Sequence, residues 1–253
     1  MTLPVTLNGR VLGWKDPSTR GLSHLGLGVF TPVEGVPSSV ILGGIPPVYD
    51  QGGVGSCVHN ALAGAVETLR NHQGLPECRP DRMELYYRTR VAEGTVAVDS
   101  GSLIADGVSA LRSGYRKESR YVSNWGPDWI ADPGPNPVDA PRVVNADPLA
   151  INSGEIQFSL ACGFPVVVGL KITQAWEALA GDYIPFPGGD SIGGHAVCLV
   201  GYRQDDNGLI FRVRNSWSEA WGDRGYAWMP SEWVSLSICG EAYAIRAVRD
   251  AVS

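Results

Sequence analysis

The chain has 253 residues, of which 44% are hydrophobic and 18% are charged. This composition excludes a disordered or coiled-coil chain and predicts one large domain or two closely packed lobes. With 26 acidic and 20 basic residues the net charge is −6, which gives no sign of nucleic-acid binding. The longest apolar run, residues 164–170, is too short to span a bilayer, so we expect no membrane partner.

The N-terminal part of the chain is punctuated by glycine and proline. Residues 1–45 show no helical period and are predicted to form an extended arm ahead of the first motif. The first ten residues lack the basic start and apolar core of a secretory signal. We therefore expect a cytoplasmic protein, or one that is exported by a leaderless route.

Three helices are predicted in the first half of the chain, because apolar residues recur there at three- and four-residue steps or a glycine marks a helix end. They cover residues 57–73, 82–93 and 103–112. Ser56 is a candidate N-cap of the first helix, and Gly94 and Gly114 are predicted to end the other two. Together they indicate a helical left lobe over residues 46–126.

The second half of the chain has a different character. Residues 127–148 contain six prolines and are predicted to form an irregular crossover between lobes. A helix near residues 149–162 is followed by five predicted strands, at 165–170, 196–202, 209–214, 225–228 and 242–248. The expected fold class is α+β, with a right lobe over 149–253 built from an antiparallel sheet or barrel.

Cys57 is the candidate nucleophile. It opens the first predicted helix, directly behind the run Gln51-Gly-Gly-Val-Gly-Ser. A helix N-terminus favours the reactive thiolate, and the glycines let a substrate backbone approach. A cysteine by itself is more often a small buried apolar residue, so this interpretation depends on a base elsewhere in the chain.

His195 is the strongest candidate for that base. It follows two glycines and precedes an apolar strand, which leaves the approach to its ring open. His24 lies in the arm, His72 lies at a helix end, and His59 points away from Cys57 because it is only two residues further along the helix. Taken alone, His195 is better explained as a core histidine.

Two amide side chains complete the set of candidates. Asn215 ends an apolar strand next to Trp217, where it is placed to orient an imidazole and be shielded from water. Gln51 and the main-chain N–H of Cys57 are candidate donors to a developing oxyanion. Each amide, considered by itself, is also explained as a turn or solvated loop residue.

The order and spacing of these residues resemble papain-like cysteine peptidases. His195 follows Cys57 by 138 residues and Asn215 follows it by 158, close to the separation of roughly 130–150 residues in that family. The motifs are Gln51-Gly-Gly-Val-Gly-Ser-Cys57, His195-Ala-Val and Asn215-Ser-Trp-Ser-Glu-Ala-Trp-Gly-Asp-Arg-Gly-Tyr226. Tyr86-Tyr-Arg-Thr-Arg90 and Asp99-Ser-Gly101 are similar to the bacterial branch of the family.

The resemblance implies a two-lobe fold with the active-site cleft between the lobes. It implies four catalytic residues: Cys57 as nucleophile, His195 as base and then acid, Asn215 as the residue that orients His195, and Gln51 in the oxyanion hole. It also implies four residues of the substrate site: Trp217 as a shield, Trp221 as a wall, Gly101 as a source of main-chain groups, and Gly193 beside a pocket.

The activity that the resemblance implies is hydrolysis of peptide bonds in a peptide or protein substrate, through a covalent thioester acyl-enzyme. Two alternatives stay open. The same residues serve a ligase, cyclase or amidase that passes the acyl group to an amine, and a papain-like fold without activity serves as a binding protein. Val54 stands where many relatives have a cysteine, so the usual lobe disulfide is absent.

No metal or organic cofactor is expected. The chain has five cysteines and four histidines but no Cys-x-x-Cys pair, which argues against a structural zinc site. Most of the thiols are expected to be reduced. Cys162 and Cys198 are expected to be packed in the core, whereas Cys78 and Cys239 remain candidates for a pair across the lobes.

The N-terminal arm has two interpretations. Zymogens of the resembled family carry a longer prosegment that fills the cleft, whereas only residues 1–45 precede the first motif here. The arm is either a short extension packed on the right lobe or a short self-inhibitory segment. In the second case the sequence predicts that residues 25–32 lie nearest the cleft.

Overall fold

The computed structural model describes residues 6–7, 9–20, 35–119, 132–235 and 237–250. Its helices are α1 (Cys57–His72), α2 (Arg82–Ala92), α3 (Ile104–Arg112), α4 (Ser153–Ala161) and α5 (Gln174–Glu177). The three predicted left-lobe helices are confirmed to within about a residue. Gly94 and Gly114 follow α2 and α3 with φ angles of 68° and 108°, a conformation that favours glycine and ends a helix.

The strands are β1 (Thr6–Leu7), β2 (Arg10–Val11), β3 (Ser39–Ile41), β4 (Arg142–Pro148), β5 (Val166–Ile172), β6 (Gly193–Asp205), β7 (Gly208–Arg214), β8 (Tyr226–Pro230) and β9 (Cys239–Arg249). All five predicted strands are confirmed, and the fold class is α+β. β1 and β2 form a hairpin, and the other seven strands form one antiparallel sheet in the order β4-β9-β5-β6-β7-β8, with β3 added to β6.

The sheet of the right lobe is open. Among the described strands, its end strands β4 and β8 pair with β9 and β7 respectively and not with each other. The expectation of a barrel-like right lobe is therefore wrong in this respect. β6 is 13 residues long and pairs with β3, β5 and β7, which makes it the central strand of the molecule.

The predicted irregular crossover at 127–148 is wrong over its last seven residues, which form β4 and pair with β9. The prolines misled the prediction because Pro141 precedes β4 and Pro148 ends it, and β4 lies at a sheet edge where proline is tolerated. Because β4 continues to Pro148, α4 begins only at Ser153, four residues later than predicted. Asn152 caps it by accepting the N–H of Glu155 at 2.8 Å.

Two hydrophobic clusters fill the two faces of the sheet. Side chains alternate along β6, so Ala196, Cys198 and Val200 pack against α1 while Val197 and Leu199 face the cluster rich in tryptophan. α1 thus lies directly across β6. This packing brings the N-terminus of α1 to the first residues of β6, where the two main sequence motifs meet.

None of the helices described is long and apolar enough to cross a membrane. All five cysteines are free thiols, so Cys78 and Cys239 do not form a pair. Cys198 is buried as expected, whereas Cys162 is exposed. Cys162 follows the last residue of α4, a helix with few buried side chains, and its thiol faces solvent instead of the core.

Candidate active site

The Cys57 thiol lies at the first residue of α1 and is fully buried. The preceding residue, Ser56, is the N-cap by position, but its side chain accepts from Asn60 at 2.9 Å and does not cap the helix. The main-chain N–H groups of Ala196 and Gly13 donate to the Cys57 sulfur. The sulfur therefore lies beside Ala196, the residue that follows His195 in β6.

The His195 ring is held by Asn215 in a defined orientation. Its Nε2 lies 2.8 Å from Asn215 Oδ1, and the same oxygen accepts the main-chain N–H of Ser216 at 2.8 Å. Because a main-chain N–H only donates, the Asn215 atom there is the oxygen, and Nε2 of a neutral ring must carry the proton. In the described residues Nδ1 of His195 has no hydrogen-bond partner, which leaves its lone pair available.

The Gln51 amide is oriented by the same logic. The carbonyl oxygens of Val54 at 3.0 Å and Val11 at 3.3 Å only accept, so the atom that faces them is Nε2, and Oε1 accepts the hydroxyl of Ser216 at 2.7 Å. Ser216 was not predicted to matter, yet it contacts both Asn215 and Gln51. The only signal in the sequence is its place between Asn215 and Trp217.

Indole rings surround the His195–Asn215 pair. Trp217 stacks on the imidazole with 4.5 Å between ring centroids, and Trp176 meets it edge-on at 6.4 Å. Trp221 stacks on Trp176 at 6.1 Å and donates to its main-chain carbonyl at 2.6 Å. Trp217 lies where the sequence placed a shield. Trp176, which supports Trp221, was not identified from the sequence.

The N-terminal arm passes through the cleft. We call residues 10–15 the cleft segment. Its Gly13 N–H donates to the Cys57 sulfur, and its Val11 carbonyl accepts from Gln51. Arg10 donates to the main-chain carbonyl of Trp217 at 3.4 Å. The Val11 carbonyl, which belongs to the chain itself, therefore accepts from the Gln51 amide in the region of the Cys57 thiol.

Both walls of the cleft bind the main chain of the cleft segment. On one wall, Ser102 donates its N–H to the Gly13 carbonyl at 2.7 Å and accepts the Lys15 N–H at 3.0 Å. On the other wall, the Gly194 carbonyl accepts the Trp14 N–H at 3.2 Å. The segment is held as an added strand, parallel to the chain at Ser102.

Gly193 and Gly101, the two glycines predicted for the substrate site, have different surroundings in the structure. Gly193 lies against the Leu12 side chain, 2.6 Å from the position of an added Cβ. The N–H of Gly101 donates to the Tyr86 hydroxyl at 2.9 Å, while its Cα lies against the cleft segment, since an added Cβ would be 1.8 Å from the Gly13 carbonyl oxygen. The main-chain groups that pair with the cleft segment belong to the next residue, Ser102.

The Trp14 side chain fills a pocket whose walls are glycines. An added Cβ at Gly169, Gly194 or Gly240 would lie 2.2, 2.8 or 2.7 Å from the indole. The indole N–H donates to Glu241 at 2.8 Å, and this carboxylate also accepts the first N–H groups of α3. A large aromatic side chain therefore fits this pocket with its one polar atom satisfied.

Burial sets the ionisation of the two reactive groups in this closed state. It raises the pKa of the Cys57 thiol to about 11, against the lowering effect of the Ala196 and Gly13 amides. It lowers the pKa of His195 to about 4, although the bond to Asn215 acts in the opposite direction. At neutral pH both groups are therefore uncharged while the cleft segment is in place.

We expect the unmodified chain to show a slow Cys57 reaction with iodoacetamide. With a pKa of about 11, the thiolate fraction at pH 7 is on the order of 10⁻⁴. Exposed Cys162 serves as the internal reference, and time-resolved peptide mass mapping measures both rates. Cys57 should lag at least about a hundredfold at pH 7 and speed up as the pH rises. Equal rates at pH 7 would contradict this.

The site offers nucleophilic and acid–base chemistry. Among the residues described, no three His, Cys, Asp or Glu side chains gather as metal ligands. What the structure does assemble is a thiol at a helix N-terminus, an oriented imidazole and an amide that donates to a carbonyl oxygen. This set fits acyl transfer to a thiol.

The comparisons with known proteins agree with this arrangement. A sequence model described as papain family cysteine protease matches residues 141–246. Xylellain, a cysteine protease from Xylella fastidiosa, is 30% identical in sequence to this chain. Its crystal structure matches with a TM-score of 0.79, over 98% of this chain and 99% of xylellain. The chain belongs to the papain family of cysteine proteases.

Two further matches have lower sequence identity over most of the chain. An uncharacterized peptidase C1-like protein of Acanthamoeba polyphaga mimivirus is 27% identical over 229 residues, covering 80% of this chain and 70% of the relative. The proform of the ragweed pollen cysteine protease Amb a 11 shares the fold, at 17% identity and a TM-score of 0.71, over 93% of this chain and 77% of that one. The family-model match contains His195 and Asn215, while Cys57 and Gln51 precede it.

Proposed function

We propose that this papain-family protein hydrolyses peptide bonds with a Cys57–His195–Asn215 triad. The observation that carries the proposal is the Val11 carbonyl, which is held by Gln51 Nε2 while the nearby Gly13 N–H reaches the Cys57 sulfur. A substrate carbonyl in that place meets a nucleophile and an oxyanion donor together. The donor set consists of Gln51 Nε2 and the Cys57 N–H.

The reaction has two stages. The Cys57 proton passes to His195 Nδ1, the thiolate attacks the carbonyl carbon, and the carbonyl electrons move to the oxygen held by Gln51. When the C–N bond breaks, His195 returns the proton to the leaving amine, and a thioester remains on Cys57. His195 then takes a proton from water, whose oxygen attacks the thioester and releases the acid and the thiol.

We also propose that the cleft segment inhibits the enzyme. It occupies both walls of the cleft, covers Cys57 completely and keeps the thiol and imidazole uncharged. The predicted inhibitory residues 25–32 lie outside the described part of the chain, whereas residues 10–15 lie in the cleft. When the segment leaves, the pocket of Trp14 becomes available to a bulky substrate side chain.

The experiment that tests the proposal opens the cleft first. A methyl group at Gly13 does not fit against Gly55, so the full-length Gly13→Ala chain is incubated at about pH 6 with a peptidyl epoxide. We expect one adduct, mapped to Cys57, because an ordinary thiol is almost entirely protonated at that pH. A chain that stays unlabelled while folded would contradict an activated thiolate and favour a protein without activity.

The products separate hydrolysis from acyl transfer. The Gly13→Ala chain is given a defined peptide pool together with an added amine, and the new C-termini are read by mass spectrometry. Hydrolysis predicts free carboxylates, because water attacks the thioester. Products that carry the amine in most molecules would instead support the ligase, cyclase or amidase alternative, which uses the same four residues.

A further inference from the structure

A buried carboxylate and a buried phenol connect two segments of the cleft wall. Asp99 lies in the loop after α2, and Tyr86 lies on α2 itself; they are 8% and 0% exposed. Neither belongs to the Cys57–His195–Asn215 set and the proposed mechanism uses neither, although, after burial, the charge of Asp99 also raises the pKa of Cys57. Both belong to motifs that the sequence singled out without a role.

Four hydrogen bonds run through this pair from one wall segment to the other. The Gly55 N–H donates to both oxygens of Asp99, at 3.1 and 3.0 Å. The Tyr86 hydroxyl donates to Asp99 Oδ1 at 2.6 Å and accepts the Gly101 N–H at 2.9 Å. The pair therefore fixes the distance between the backbone at Gly55 and the backbone at Gly101.

The Gly55 end of this chain of bonds leads to Gln51. The N–H of Gly55 and the carbonyl of Val54 belong to one planar peptide group. Asp99 holds the N–H side of that group, and its carbonyl side accepts Gln51 Nε2 at 3.0 Å. Any rotation of this peptide group would move the acceptor that aims the Gln51 amide.

The Gly101 end leads to the residue that pairs with a bound chain. Ser102, directly after Gly101, forms two main-chain hydrogen bonds with the cleft segment. Arg90 reinforces this end, since it donates to the Gly101 carbonyl and to the Val98 carbonyl. The backbone that grips a peptide and the backbone that aims Gln51 thus share one buried connection.

The choice of a carboxylate is informative. Burial raises the pKa of Asp99, so its charge is kept against a desolvation cost, and its two hydrogen-bond donors, the Gly55 N–H and the Tyr86 hydroxyl, offset that cost. An asparagine here would turn its NH₂ group toward one of the donors. Hydrogen bonds to the cleft backbone at Gly55 and to the Tyr86 hydroxyl of α2 account for the position of this charge.

We propose that Asp99 and Tyr86 are positioning residues, which align the Gln51 oxyanion donor with the peptide-pairing backbone at Ser102. The inference rests on the proposed peptidase function. Asp99 acts through the Val54–Gly55 peptide group, and Tyr86 acts through Gly101. Removing either one should misplace the oxyanion donor while leaving the Cys57–His195 pair itself intact.

The test compares two reactions of Cys57 in the full-length Gly13→Ala chain. Alkylation by iodoacetamide forms no oxyanion at a carbonyl, whereas a peptide aldehyde forms a tetrahedral adduct that uses the Gln51 donor. Asp99→Asn should lower kcat and weaken aldehyde affinity by about 10- to 100-fold, less than the loss of a whole donor. Its alkylation rate should not fall, because loss of the Asp99 charge, which adds to burial in raising the pKa of Cys57, can only increase the thiolate fraction.

Tyr86→Phe provides the second variant, and it keeps the test decisive if Asp99→Asn does not fold. It should lower kcat and also raise KM, because Ser102 loses its support through Gly101. Tyr115→Phe is the matched control, since Tyr115 is another buried tyrosine of the left lobe, contacted by Arg70 at 3.5 Å and far in sequence from the wall. Tyr115→Phe should leave kcat, KM and the aldehyde affinity unchanged.

Two outcomes would overturn the inference. One is unchanged kcat and aldehyde affinity in Asp99→Asn and Tyr86→Phe. The other is a parallel fall of alkylation and aldehyde binding, which indicates general disorder of the site. Aldehyde binding is measured without turnover. A Gly13→Ala chain that binds the aldehyde but cleaves no peptide would therefore refute the proposed hydrolysis. The effect of Asp99→Asn and Tyr86→Phe on aldehyde binding would still test this inference.

Discussion

Gly13→Ala should raise the peptidase activity of the full-length chain by about 10- to 100-fold. The added Cβ would lie 1.9 Å from the Gly55 carbonyl oxygen and 2.4 Å from its carbon, both of which are main-chain atoms. Such an overlap costs about 1–3 kcal/mol or more, and each 1.4 kcal/mol is about tenfold in occupancy of the cleft. Initial rates on a quenched peptide pool measure the gain.

The control for this substitution is Gly188→Ala. Gly188 has nothing within 4 Å of an added Cβ and no left-handed φ, so its activity should equal that of the unmodified chain. Adding a synthetic peptide of residues 6–20 to the Gly13→Ala chain should restore inhibition. If the folded Gly13→Ala chain shows unchanged activity, the cleft segment does not inhibit.

The elements that the sequence predicts well are those with local signals. α2 and α3 end at glycines with positive φ, and the strands of the right lobe follow from apolar runs between turns. β4 was missed because its two prolines resemble breakers, although an edge strand tolerates them at its ends. Pairing with β9, which is distant in sequence, decides that strand.

The cleft segment was beyond local reasoning for a different reason. Residues 10–15 have no helical or alternating period, and their conformation is determined by walls that lie far away in sequence, at Ser102 and Gly194. The one local trace is Gly13 between two large side chains, which fits a backbone that passes close to Gly55. Ser216 and Trp176 were missed similarly, because their contacts are tertiary.

The candidate site residues, in contrast, were found by order and spacing along the chain. Cys57, Gln51, His195 and Asn215 lie on three different segments, and no local pattern says that they meet. The structure brings them to one end of the cleft because α1 lies across β6 and because the Gln51 N–H pairs with the Ser216 carbonyl at 2.9 Å. Spacing does not say, however, that the main-chain hydrogen bonds to the cleft segment come from Ser102, the neighbour of Gly101.

His195→Ala in the Gly13→Ala background should lower kcat by about a thousandfold or more. In the proposed mechanism, the substitution removes the group that takes the thiol proton and returns it to the leaving amine. It also removes the imidazolium that favours the thiolate, so alkylation of Cys57 at pH 6 should fall and should recover as the pH rises through the thiol pKa. Steady-state kinetics and alkylation rates measure the two effects.

His59 supplies the matched control for that experiment. It is also fully buried, lies two residues after Cys57 and bonds Thr89 at 3.0 Å, and burial lowers its pKa to about 3, so it is uncharged at neutral pH. His59→Gln should change activity per folded molecule by less than about threefold. Added imidazole should partly restore the activity of the His195→Ala chain, because removal of the ring leaves a cavity next to Asn215. Retention of a tenth of the activity without imidazole would refute His195 as the base.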